Sequence, residues 1–410
     1  MVRFLHTADI QLGMRATTVP EVADRIREQR FDTLERIVAL AKAEAVDFVV
    51  IAGDLFEDNQ VSADTAHRAV KILGDAGPVP VYILPGNHDP LTADSVYRRP
   101  VFGERKPENL YVLQERTSVS VSGVSCILYP CPVLERRSLF DPTSDLCERV
   151  RAEQGTVRIG IAHGALAIEG RHSADDHPIA PDIASKSGLD YLALGHWHKC
   201  YACDKHTAYY CGTPEPTTFD DRDAGFVLIV GIDGPGALPR VEKRPVNGLD
   251  WPKWEVDLTE QPAELLDEQR QRVSGLADRS RTLLQLCLTG TVGLECMQAV
   301  DDFEAWLCAQ GLLYVDVQRN LVATELAASA LGRLAEKDAV ISGVVADLEA
   351  LGALSRDSGS TKPDSLADPL QIEDLLALWG TVKRDLDVDR KVVVGNALTR
   401  LAQLVKEVMR

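Results

Sequence analysis

Val46-Asp47-Phe48-Val49-Val50-Ile51-Ala52-Gly53-Asp54-Leu55-Phe56 is the stretch on which the fold turns. From Phe48 to Ala52 every residue is apolar, so the run reads as a strand buried on both faces. It stops at Gly53-Asp54, where turn chemistry begins. On its N-terminal side, residues 20–45 carry Ile26, Leu34, Ile37, Val38 and Ala41 on one side of a predicted helix, preceded by a short β-rich run at 3–8. On its C-terminal side, residues 62–75 read as a helix with Ser62 as N-cap, and 79–84 as a further strand. Strand and helix alternate at this spacing, and the strands are continuously apolar. The prediction is an α/β fold whose central sheet is covered on both faces.

Working outward, residues 109–131 change to strands and turns, and 157–162, 191–194 and 226–230 are further short strands. The Gly- and Pro-rich run 231–239 reads as a turn near the end of this domain. After Asn247-Gly248 a different unit is expected: strands at 254–258 and 282–288 around a helix at 263–277, then a helix at 297–309 and a strand at 312–317. This is a small α+β module. Beyond it come a helix at 338–351, a polar linker near 355–366, and a final helix at 390–410. That last helix places Val394, Leu398, Leu401, Leu404, Val405 and Val408 on one face. The domain boundaries read from this pattern are 1–245, 246–320 and 321–410.

Composition narrows the class. With 45% apolar and 26% charged residues the chain is an ordinary globular protein. No apolar stretch approaches the roughly 20 residues a membrane helix needs, and the N-terminus does not resemble a signal peptide. A cytoplasmic protein with no membrane partner is expected. Nine scattered cysteines fit reduced thiols. Cys200, Cys203, His206 and Cys211 have spacings zinc can use, although two strands flanking the turn Asp204-Lys205 is the plainer reading. The formal net charge is −18, and both 1–245 and the remainder are acidic. That argues against holding nucleic acid by bulk electrostatics. It does not argue against a metal-dependent enzyme, because carboxylates are metal ligands.

Five short motifs follow predicted strands: Thr7-Ala8-Asp9-Ile10-Gln11, Ala52-Gly53-Asp54-Leu55-Phe56, Pro85-Gly86-Asn87-His88-Asp89, Ile161-Ala162-His163-Gly164 and Leu194-Gly195-His196-Trp197-His198. Ligands bind at the carboxyl ends of strands in open α/β sheets. Asp, Asn and His at five such ends form a mixed oxygen and imidazole set, suited to manganese, iron or zinc rather than calcium. A carboxylate such as Asp54 is able to bridge two ions. Alone, each motif is a cap, a turn or a core histidine. Five in this order, each after a strand, make that explanation very improbable.

The set resembles the calcineurin-like metallophosphoesterases, whose pattern is Asp-x-His, Gly-Asp, Gly-Asn-His-Asp, a lone His, then Gly-His-x-His. The segments 4–9 and 46–56, and Tyr210-Cys211-Gly212-Thr213-Pro214-Glu215, look specifically like the SbcD-type DNA repair nucleases. The resemblance implies a four-layer α/β/β/α sandwich with a small α+β capping domain and C-terminal helices. It implies two divalent metal ions, most naturally Mn²⁺. Asp9 and His198 would bind the first with Asp54 as bridge, and Asn87, His163 and His196 would complete the second. His88 would approach the scissile phosphate and Asp89 would orient it. The implied partners are DNA, an SbcC-like coiled-coil ATPase and a second copy of the chain.

One position departs from the family. Gln11 stands where the pattern has His, and a carboxamide is a weaker ligand for these metals. The first metal site is therefore expected to be the looser one. Three functions follow in order: a manganese-dependent DNA nuclease working with the ATPase, a phosphodiesterase or phosphatase on small nucleotides or phosphoproteins, and a binding subunit with a degenerate site.

Overall fold

The computed structural model describes residues 1–319 apart from 104, 151–154, 168–175, 291 and 293. The expected elements at 338–351, 355–366 and 390–410 lie outside the described residues. No helix among the described residues is long and apolar enough to cross a membrane.

In the unit Met1–Trp251 the strands are β1 (Val2–Thr7), β2 (Phe48–Ala52), β3 (Val81–Leu84), β4 (Leu110–Val112), β5 (Val119–Ser120), β6 (Cys126–Cys131), β7 (Val157–His163), β8 (Tyr191–Gly195), β9 (Cys200–Cys203), β10 (Ala208–Cys211), β11 (Phe226–Ile232) and β12 (Arg240–Pro245). The helices are α1 (Ala23–Ala43), α2 (Ala63–Gly74), α3 (Leu146–Arg149) and α4 (Ile183–Ser187). One six-stranded sheet runs β12-β11-β1-β2-β3-β4, and a second runs β5-β6-β7-β8-β10-β9. β1 to β4 are parallel, and so are β6, β7, β8 and β10.

Alternation along each strand sets the layers. Leu5, Val49, Ile51 and Ile83 pack under Leu34, Ile37 and Val38 of α1 and Ala69 and Val70 of α2. Their neighbours Phe4, Phe48, Val50 and Tyr82 pack against Leu128, Ile159, Ile161 and Tyr191 of the second sheet. The far side of that sheet, with Tyr129, Leu192, Leu194 and Tyr210, is covered by Leu146 of α3 and Ile183 of α4. The result is four layers, α/β/β/α. These are the four layers that the family resemblance implies; what the apolar pattern alone reads as a central sheet is two sheets packed face to face. An apolar run looks the same whether a helix or another sheet covers its second face. Phe4 marks that interface, stacked on Phe48 at 5.0 Å and edge-on to Tyr191 at 5.4 Å. Gly231, expected in a turn, instead continues β11 opposite Arg3.

The second unit begins at Pro252. Strands β13 (Lys253–Asp257), β14 (Leu283–Thr289) and β15 (Tyr314–Arg319) form a parallel sheet with β14 central. Helices α5 (Pro262–Ser274) and α6 (Leu294–Cys308) contribute Leu266, Phe303 and Leu307 to a core with Trp254, Val256, Leu284 and Leu286.

Candidate metal centre

Backbone strain marks the site. Asp9, Gln11, Asp54 and His196 all have positive φ, at 54°, 49°, 53° and 104°. Non-glycine residues in such conformations cost about 1–3 kcal/mol each and persist only where the surroundings hold them. Here the loops after β1, β2 and β8 hold one another. Asp9 N donates to the Gly53 carbonyl (3.1 Å) and Gln11 N to the Asp54 carbonyl (3.0 Å). His196 N donates to both carboxylate oxygens of Asp9, at 3.1 and 3.0 Å. The two glycines beside these loops have no room for a side chain. A Cβ on Gly53 would lie 2.1 Å from His163 Nδ1, and one on Gly86 would lie 2.1 Å from Asp54 Oδ1.

The loops bring one potential ligand atom each of Asp9, Asp54 and His163 within 4.8 Å of one another, and all three residues are buried. His163 Nε2 is 3.2 Å from Asp54 Oδ2 and 2.8 Å from Asn87 Oδ1. His196 Nδ1 is 3.0 Å from the same Asn87 oxygen. His198 Nε2 lies 3.3 Å from the amide nitrogen of Gln11. All seven expected ligands thus stand in one connected cluster at strand ends.

Its electrostatics call for a cation. Burial pushes the Asp9 carboxyl above its ordinary range, with Asp54 adding to the shift. Burial acts the same way on Asp54, but the neighbouring His163 outweighs it and holds that carboxyl low. Burial disfavours protonated His163, yet Asp54 prevails and pushes it up to about 9. His196 is driven down to about 3 by burial and by His163, so it is neutral and ready to donate a lone pair. Two buried carboxylates, an amide oxygen and imidazole nitrogens fit a borderline divalent cation, with His196 already neutral and His163 giving up its proton when a cation takes its place beside Asp54.

His88 is partly exposed beside this cluster. Its N–H donates to Asp54 Oδ1 (2.9 Å), and its Nδ1 lies 2.9 Å from the Glu57 carbonyl oxygen. A carbonyl only accepts, so Nδ1 carries the hydrogen and Nε2 is left for another partner. The expected orientation of His88 by Asp89 is corrected. Asp89 is buried and accepts from Gly86 N (2.8 Å), Phe56 N (3.0 Å) and the Tyr97 hydroxyl (2.6 Å). It ties the β2 and β3 loops together, and Glu57 orients the imidazole. Burial, then Asp54, pushes the Asp89 carboxyl up to about 6.

The sequence reading missed three supporting residues. Asp221 Oδ2 lies 3.4 Å from His198 Nδ1 and accepts from Thr217 N and Thr217 Oγ1 at 2.8 and 2.6 Å. Arg30 is fully buried and donates to the Ile10 carbonyl (2.7 Å) and to the carbonyls of Glu215 (3.2 Å) and Pro216 (2.9 Å). Glu215 accepts from Thr33 Oγ1 (2.6 Å) and from Gly248 N and Leu249 N, both at 2.8 Å. No sequence signal separates Arg30 or Asp221 from ordinary surface charges. The alternative cysteine site is not assembled: Cys200 faces Cys211 across β9 and β10, while Cys203 faces Ala208. Among the described residues, Asp9, Asp54 and His163 are the one group of three or more such side chains placed to share an ion.

A cavity of about 620 Å³ opens beside the cluster, lined by His196, Trp197, His198, Lys199, Asp220 and Asp221.

Residues 2–200 match the model of the calcineurin-like phosphoesterase family, and the chain carries a calcineurin-like metallophosphoesterase domain of mixed α/β architecture. Members of this class are hydrolases that use divalent metals. Among its relatives, the uncharacterized metallophosphoesterase YhaO of Bacillus subtilis (strain 168) is 28% identical over 277 residues, covering 63% of each chain. The DNA double-strand break repair protein Mre11 of Methanopyrus kandleri is 28% identical over 255 residues, 56% of this chain and 54% of that one. A subunit of the nuclease SbcCD of Bacillus subtilis is 26% identical over 266 residues, 56% of this chain and 66% of that one. The chain thus spans 63%, 54% and 66% of these relatives' lengths.

Proposed function

We propose that this chain is a metal-dependent DNA nuclease, the phosphodiesterase subunit of a complex with an SbcC-like coiled-coil ATPase. The observation that carries the reading is the convergence of Asp9, Asp54, Asn87, His163, His196 and His198 from separate strand ends, with His88 beside them. Asp9, His198 and Gln11 would hold one divalent ion and Asn87, His163 and His196 a second, with Asp54 available to both. Manganese suits this donor set. When bound, such ions would supply Lewis-acid stabilisation of the phosphoryl oxygens and a more acidic water. The remaining work falls to the chain. To act as general acid His88 enters the step as the imidazolium: its Nδ1–H stays on the Glu57 carbonyl, the Nε2 proton passes to the leaving oxygen, and the imidazole ends neutral. The amide of His88 fixes Asp54 at the same time, so phosphate recognition and metal holding share one backbone.

DNA as substrate is supported by the likeness to Mre11 of Methanopyrus kandleri and to the SbcCD nuclease subunit of Bacillus subtilis. A net charge of −18 gives the chain little affinity for DNA by itself, which is why an ATPase partner belongs in the reading. We further assign 1–245 as nuclease, 246–320 as capping domain and 321–410 as the partner-binding region, in a cytoplasmic homodimer. A phosphodiesterase acting on small nucleotides is the second reading, favoured by the volume of the cavity. A degenerate binding subunit is favoured by Gln11 alone.

The test sets linear DNA beside a small chromogenic diester, with Mn²⁺ and with Mg²⁺. DNA cleavage stimulated by Mn²⁺ is expected. Cleavage of the diester alone moves the assignment to small substrates. No hydrolysis of either, even with the ATPase present, would sink the enzymatic reading.

A further inference from the structure

Resting on the reading of this centre as one that takes nucleotidyl phosphates, we propose that Trp197 is the platform on which the base adjoining the bound phosphate stacks. Trp197 sits in sequence between His196 and His198 and lines the 620 Å³ cavity with both of them. Its indole is only partly buried. It lies on the Tyr210 ring, with centroids 4.6 Å apart and planes 19° from parallel, and meets Tyr201 obliquely at 5.6 Å.

That support is rigid. Tyr210 is fully buried, and its hydroxyl donates to the Gly164 carbonyl at 2.7 Å, one residue beyond His163. The plane of the indole is therefore fixed by the same turn that carries a cluster histidine. Lys199 brings its ammonium to 5.7 Å from the indole centroid and lines the same cavity, a cation suited to a phosphate oxygen.

Core packing accounts for the part of Trp197 that rests on Tyr210 and Tyr201. It does not account for the part that faces a cavity otherwise lined by imidazoles, an ammonium and carboxylates. A large, preoriented aromatic surface beside two metal-site imidazoles and the Lys199 ammonium is what a nucleobase on a bound phosphate requires. Every base has a π-face, so the contact gives affinity without sequence choice. The cavity also falls in the range of sites that enclose a small ligand.

The test is calorimetric titration of the full-length, Mn²⁺-saturated protein with dAMP and with deoxyribose 5-phosphate, which lacks only the base. Wild type and Trp197→Phe should hold dAMP roughly 5- to 150-fold more tightly than the sugar phosphate, the span of one base–aromatic stack. In Trp197→Ala the two ligands should bind alike, while the sugar phosphate keeps its wild-type affinity and so reports an intact centre. The comparison in wild type needs no variant to fold. Equal affinities there, or a dAMP preference that survives in Trp197→Ala, would overturn the platform. DNA cleavage is scored separately. A chain that prefers dAMP but cuts no DNA keeps the platform and loses the nuclease reading, and one that cuts DNA with no base preference does the reverse.

Discussion

At the scale of single residues, Gln11 and His88 divide the chemistry into holding and transferring. Gln11 turns its amide nitrogen toward His198 Nε2 at 3.3 Å, and a carboxamide nitrogen has no lone pair to give a cation. Only its oxygen serves, after the amide turns over. Replacing it by an imidazole should tighten Mn²⁺ binding at least 10-fold, since even supporting interactions around a metal are worth roughly 10–100-fold. Calorimetry on Gln11→His beside wild type decides this, and superimposable isotherms would show that Gln11 is no handicap. His88 makes the opposite case. Its side chain is tied to Glu57 rather than to the carboxylates of the cluster. His88→Ala should leave bound metal unchanged and lower kcat by about 10²–10⁴, the range of a general acid. His196→Ala should instead lose metal, because its Nδ1 meets the shared Asn87 oxygen. Loss of metal from His88→Ala, read by elemental analysis, would void that division.

At the scale of elements, the helices do more than cover the sheet. α1 carries Arg30, whose guanidinium donates to three carbonyls, those of Ile10, Glu215 and Pro216. Arg30→Met keeps the apolar stem but leaves those buried oxygens unpartnered. Several unmade charge-assisted hydrogen bonds should cost about 3 kcal/mol or more. Ile10 lies between Asp9 and Gln11, so metal affinity should fall in the same variant, and denaturant titration with metal calorimetry reads both. α2 gives a milder case. Ser62 Oγ accepts from Thr65 N at 3.1 Å, and Ser62→Ala should cost about 1 kcal/mol with metal binding untouched. These elements also show why part of the molecule was legible in the sequence. β1, β2 and β3 end where an apolar run meets Asp or Gly, and the Ser62 cap needs only local chemistry. All of that is written within a few residues. The division of strands between two sheets is not in the local pattern and comes only with the motif resemblance, because strand order depends on pairings such as His6 with Leu228, far apart in the chain. Arg30 and Asp221 escaped for the same reason: a charge at a helix or loop position acquires meaning only from what folds over it. Asp89 was given the wrong neighbour, since sequence adjacency to His88 says nothing about where the two side chains point.

At the scale of the whole molecule, the two sheets close over His6, and that burial couples folding to pH. His6 is fully buried in β1, with Nδ1 3.0 Å from the Tyr191 hydroxyl of the second sheet. Burial pushes its pKa from about 6.5 down to about 3. The sign follows from which state takes the proton. Below pH 6.5 the unfolded chain protonates this imidazole while the folded chain keeps it neutral, so its contribution is present above pH 6.5 and is lost as the pH falls toward 3. At pH 5.5 an unfolded pKa of about 6.5 gives a loss of about 1.4 kcal/mol from this residue. His196, also held low, acts with the same sign, so the total acid slope cannot be assigned to His6 without a variant. His6→Phe supplies it. Phenylalanine keeps an aromatic ring against Tyr191, where the imidazole now meets it edge-on at 5.8 Å, and has no proton to bind. Both proteins should be unfolded by denaturant in the metal-free state at pH 7.5 and at pH 5.5. The phenylalanine variant should lose about 1.4 kcal/mol less than wild type between the two conditions, whatever its stability at pH 7.5. Equal losses would mean that His6 takes up its proton without unfolding the sandwich, and that the inter-sheet space admits the charge.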